Sequence, residues 1–100
     1  MEPNVAEIAM FLARVLRAAA EGRVVLTEYA EDRALDELGW SASDVIAQLL
    51  VLEISDFHQT EHTRGDALLW VFTPDVDEVG RLWIRLVERQ GIVVVSFHPG

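Results

Sequence analysis

Apolar residues recur with a helical period through the first half of the chain and gather into strand-like runs through the second. Val5, Ile8, Leu12, Val15, Leu16 and Ala19 stand three or four residues apart, widened by Met10 and Phe11, which predicts an amphipathic helix. Asn4 with Glu7 three residues later is a capping-box signature, and Gly22 suits the position just past the end. Thr27 caps a second predicted helix running to about Leu38, with acids in its first turn favoured by the helix dipole and Gly39 ending it. Ser41-Ala42-Ser43-Asp44 repeats that capping logic for a third helix over residues 42–53. Its Val45, Ile46, Leu49, Leu50 and Leu52 are apolar nearly all round, which predicts burial on more than one side. Between the first two helices, Arg23-Val24-Val25-Leu26 fits either a strand or a link.

After Ser55 the period changes. Phe57-His58-Gln59-Thr60-Glu61-His62 leads into a turn cluster at residues 63–66, and Leu68 to Phe72 is apolar on both faces, as a central strand should be. An acidic loop at residues 74–80 precedes two β-branched, aromatic-rich runs joined at Gln90-Gly91, where glycine supplies the positive φ of a tight turn. With a two-residue loop, Arg89 faces Ile92, and counting outward pairs Val87 with Val94, Arg85 with Ser96 and Trp83 with His98. Those eight share one face. The other carries Leu82, Ile84, Leu86, Val93, Val95 and Phe97 and should meet the core. Three N-terminal helices packed on a C-terminal antiparallel sheet of about four strands make an α+β fold, a single domain over residues 1–100.

Composition changes this picture in two ways. At 51% hydrophobic the chain is globular, yet no apolar run reaches the roughly 18–20 residues of a membrane span and no secretory signal opens it, so a soluble cytoplasmic protein is expected. Cysteine is absent, which excludes disulfides, thiolate metal sites and a cysteine nucleophile. With 17 acidic residues, eight arginines and no lysine, the net charge of −9 repels phosphate on average. A nucleic-acid function therefore needs its arginines gathered locally. Arg81, Arg85 and Arg89, at every fourth position of one strand, stand on one side of the sheet. Glu28, Glu31, Asp32, Asp36 and Glu37 form an acidic face, either simply solvated or a docking surface for a basic partner.

His58, His62 and His98 are the side chains whose ordinary pKa lies nearest neutrality. In a regular strand His58, Thr60 and His62 point the same way, and a meander joins that face to Arg85, Ser96 and His98. Two imidazoles, a guanidinium and two hydroxyls suit metal-independent phosphodiester cleavage: a base for a ribose hydroxyl, an acid for the leaving oxygen, and arginine for developing charge. Trp83 offers a ring on which a base can stack, with Ser96 and Arg81 as further substrate contacts; plain packing and charge offset are the alternatives. A zinc site built on His58, Glu61 and His62 is disfavoured, because the two histidines stand about 13 Å apart on a strand. No metal or other cofactor is called for.

The pattern Leu38-Gly39-Trp40-Ser41-x-x-Asp44, then Leu52-x-x-Ser55-Asp56-Phe57, Trp70 and Val93-Val94-Val95-Ser96-Phe97 resembles the MqsR-type toxins of bacterial toxin–antitoxin pairs. The resemblance spans nearly the whole chain from about Val15. It implies a RelE-like α+β fold and a sequence-selective endoribonuclease that cuts mRNA until a cognate antitoxin binds it. Where that family's motif has lysine after Ser-Asp-Phe and directly after Val-Ser-Phe, this chain has Gln59 and His98; the family's tyrosine falls on Trp83 and its glutamine on Val71. A histidine-based variant of the site then comprises His58, Gln59, Thr60, Arg85 and His98. Three readings follow: a ribonuclease toxin, a non-catalytic protein-binding module of the same fold, favoured by the missing lysines and the charge, and a self-associating structural domain.

Overall fold

The computed structural model describes residues 2–63 and 65–100; Arg64, in the turn anticipated at residues 63–66, lies outside the described residues. Helix α1 (Val5–Ala20) is followed by strand β1 (Val24–Leu26), α2 (Glu28–Leu38), α3 (Ala42–Leu49) and a 3₁₀ turn at Ile54–Asp56. Strands β2 (Phe57–His62), β3 (Leu68–Phe72), β4 (Asp75–Val76), β5 (Gly80–Glu88) and β6 (Ile92–Pro99) complete the chain. The fold is mixed α+β, as the sequence implied, but the sheet has six strands instead of about four, ordered β1-β6-β5-β3-β2, with β4 pairing β5. The added members are short. β1 lies parallel to β6, and β4 is a two-residue ladder opposite Gly80 and Arg81.

The helix starts sit where their caps dictate. Asn4 Oδ1 accepts from the Glu7 amide at 2.9 Å while Glu7 Oε1 accepts from the Asn4 amide at 3.0 Å, and Ser41 and Asp44 repeat the exchange at α3. Each such cap typically contributes about 1 kcal/mol. The Thr27 hydroxyl accepts from the Ala30 amide and donates to the Val95 carbonyl, so one side chain both starts α2 and ties it to β6. Gly39, with φ of 70°, ends α2. Helix α3 is shorter than residues 42–53. Asp56 Oδ2 accepts from the Glu53 amide at 2.8 Å, capping the 3₁₀ turn and diverting the chain, which leaves Leu50 and Val51 exposed.

Two β-bulges decide what faces the core. Arg85 pairs with Ser96 and Trp83 with His98, as a regular hairpin demands, but Leu86 pairs with Val94 and Glu88 with Ile92. The turn is therefore a three-residue Arg89-Gln90-Gly91 loop, with positive φ at Gln90 and Gly91, and Val95 is the extra residue. This corrects the regular register: Ile92 and Val94 are buried in the core beside Phe97, while Val93 and Val95 turn to the other face. A strictly alternating strand cannot bury Ile92, Val94 and Phe97 together, because their positions differ in parity. One bulge resolves the conflict, and burying each such side chain stabilises the fold by about 1.5–3 kcal/mol.

The second bulge lies in β2, where Phe57 pairs with Phe72 but Gln59 pairs with Val71. It lets Phe57 meet Trp70 and Phe72 edge-on. The core joins Ile8, Phe11, Val15 and Ala18 of α1, Ala30 and Ala34 of α2, and Val45 and Leu49 of α3 to one face of the sheet. Leu69, Val71 and Val87 are buried outside that cluster, on the face opposite the helices. At the hairpin tip the Ile92 amide donates to the Arg23 carbonyl, and a Cβ on Gly91 would collide with that same oxygen. Glycine there lets β1 approach. No described helix is long and apolar enough to cross a membrane.

Candidate functional site

The helix-free face of the sheet gathers most of the residues the sequence singles out. Cross-strand pairing sets Trp83 beside His98 and Arg85 beside Ser96. The β2 bulge adds His58, whose ring meets Trp83 edge-on at 5.1 Å between centroids, and the Arg85 guanidinium lies 5.8 Å from the same ring. Trp83 is thus the half-buried centre of the group, with one histidine against its ring and another across the strand pair.

His98 Nδ1 lies 2.9 Å from the Pro99 carbonyl oxygen. A carbonyl only accepts, so that contact is a hydrogen bond when Nδ1 carries the proton, which leaves Nε2 of the neutral ring as an acceptor. Helix α2 supplies a carboxylate at this edge. Arg33 donates twice to the exposed Glu37, at 2.8 and 3.0 Å, and holds its carboxyl below the usual range; nearby His98 lowers it further.

Arg85 is not a free cation. Its Nε donates to Glu61 Oε1 at 3.1 Å, and a terminal nitrogen donates to the Ser96 hydroxyl at 3.4 Å. Gln59 donates to the other Glu61 oxygen at 2.8 Å. The Arg85 hydrogen bond holds the Glu61 carboxyl below its ordinary range, partial burial opposes it, and Gln59 adds to the lowering. Glu61 entered the sequence reading only as a disfavoured zinc ligand. Its position two residues after Gln59 was the available signal, since strand alternation puts the two on one face.

Four expected neighbours are elsewhere. Thr60, opposite Trp70, and His62, opposite Leu68, turn toward the helices and line a cleft with Pro3 and Glu7. The bulge at His58 is the reason, because it breaks the alternation that would have put His58, Thr60 and His62 together. Arg81 lies 3.6 Å from Asp75 at an exposed position, and Arg89 falls in the hairpin turn. Among the described residues no three His, Asp or Glu side chains converge to hold a metal ion.

The Glu61–Arg85 pair makes a stability prediction. The folded carboxyl titrates below the unfolded one, so its contribution is complete above the unfolded pKa of about 4.3 and is lost as pH falls through the lower folded value. Glu61→Gln should therefore flatten the acid limb of a stability–pH curve below about pH 5. At neutral pH it should cost about 1 kcal/mol or less, the range of a partly solvated pair. Urea midpoints measured from neutral to acid pH check this; a variant curve parallel to the native one would refute it.

Comparison with known proteins adds one finding. A family model described as "Motility quorum-sensing regulator, toxin of MqsA" matches residues 9–99. No curated protein matches the chain.

Proposed function

The chain belongs to the MqsR toxin family, and from that membership we propose that it is a metal-independent endoribonuclease acting on mRNA in the cytoplasm and neutralised by a cognate antitoxin protein. The single observation that carries the reading is the uncovered sheet face on which His58, Arg85, Ser96 and His98 surround Trp83. His98 Nε2 removes the proton of a ribose 2′-hydroxyl as that oxygen attacks phosphorus. His58 protonates the departing 5′-oxygen, leaving a 2′,3′-cyclic phosphate on one fragment and a 5′-hydroxyl on the other. Arg85 faces the charge that develops on the non-bridging oxygens, Ser96 is buried and positions Arg85 instead of touching the phosphate, and Trp83 stacks a base. Gln59 holds Glu61, which in turn holds Arg85. Thr60, on the opposite face, has no part in this scheme.

One observation favours a second reading. Glu61 offsets the Arg85 charge where a phosphate would sit, as suits a face that grips another protein without cleaving RNA. The test is cleavage of bacterial RNA by the purified chain in excess chelator. Fragments ending in cyclic phosphate are expected; intact RNA after incubation with folded protein would refute the enzyme and leave the binding module.

A further inference from the structure

Four of the arginines gather away from this face, at the hairpin tip. Arg14 and Arg17 of α1, with Arg23, line a cavity of about 310 Å³ together with Glu88 and Gly91. A second cavity of about 310 Å³ shares Arg14 and Glu88 and adds Arg89. Among the described residues two carboxylates answer these four cations. Arg14 gives its Nε to Glu88 at 3.0 Å, and Arg23 is taken up by Glu21. Arg17 and Arg89 form no ion pair among the described residues. In a chain of net charge −9, an end with two positive charges in excess stands against the average field.

We infer that this end binds the phosphodiester backbone of single-stranded RNA, outside the residues that cleave it; the inference rests on the ribonuclease reading for its choice of polyanion. The lining supports a repeating anion more than an acidic protein segment. The apolar members of the first cavity, Ala18 and Ile92, are buried. The exposed apolar side chains nearby, Leu68 in the second cavity and Met10 beside Arg14 and Arg17, stand apart from it, so the first cavity itself offers charge and no apolar anchor. Unpaired guanidiniums bind phosphate with planar, two-pronged geometry and need no such anchor. The separation also fits. Arg89 follows Arg85 by four residues, about 13 Å along the strand direction, a span of a few nucleotides.

The test is fluorescence anisotropy with a short single-stranded oligonucleotide, fully 2′-O-methylated so that it cannot be cleaved. Arg17→Gln with Arg89→Gln should weaken binding about tenfold or more at low salt and reduce the slope of log Kd against log salt by about 1.4. Each single variant should remove about half of that slope, which keeps the test valid if the double variant folds poorly. Unchanged affinity and slope in folded variants would overturn the inference, as would absence of binding by the native chain. Polyglutamate that competes as well as the oligonucleotide would overturn it in favour of an acidic protein. Native protein that binds through these arginines yet leaves cleavable RNA intact would sink the ribonuclease reading while sustaining the backbone site.

Discussion

Replacing His98 by alanine is expected to reduce RNA cleavage by about 10²–10⁴-fold, the usual contribution of one positioned proton-transfer group. The expectation comes from a local arrangement: with Nδ1–H donating to the Pro99 carbonyl, Nε2 is the free acceptor, and Trp83 lies opposite on β5. His98 stands where the resemblance places a lysine, so His98→Lys is the informative companion. A lysine base must lose a proton with an ordinary pKa of about 10.4, against about 6.5 for histidine. The variant should retain little activity near neutrality, because an amine of that basicity is almost wholly protonated there and cannot accept the 2′-hydroxyl proton. Initial rates with a fluorescent RNA in chelator, measured across pH, provide the check. Native rates in His98→Ala would remove His98 from the chemistry.

The legible parts of the fold are those governed by neighbours in sequence. Asn4 with Glu7, Thr27, Gly39, and Ser41 with Asp44 each act within one helical turn, and each marks a helix end in the structure. The outer hairpin pairs, Trp83 with His98 and Arg85 with Ser96, follow equally from strand geometry. Beyond Arg85 the register depends on which side chains the helices will cover. Ile92 and Val94 can face Val15 and Ala30 only if Val95 bulges, and nothing at Val95 itself announces that. The same holds at His58, where burial of Phe57 against Trp70 and Phe72 shifts Gln59 and Glu61 onto the site face and removes Thr60 from it. Strand β1 escaped because three residues, Val24 to Leu26, carry too little periodicity to separate a strand from a link; Gly91 admits it from 65 residues downstream of Leu26.

The largest stability effect is expected at Phe11, which has no exposed surface and stacks on Trp70 at 4.2 Å between centroids with the rings 4° from parallel. Phe72 stacks on the same Phe11 ring at 6.1 Å between centroids, and Phe57 packs edge-on against both sheet aromatics. Phe11→Ala removes the ring that joins α1 to β3 and leaves a cavity among rigid rings that cannot collapse into it. The cost should be about 3–5 kcal/mol, a large share of the 5–15 kcal/mol that holds a typical domain folded. For a chain of this size the melting temperature should fall by more than about 12 °C, measurable by circular dichroism. A drop of only a few degrees would mean that α1 packs on the sheet less tightly than the stacking implies. Phe11 and His98 lie on opposite faces of one sheet, so the two variants separate scaffold from chemistry. Cleavage by Phe11→Ala should track its folded fraction and recover on cooling, whereas His98→Ala should melt as the native chain does and remain inactive at every temperature.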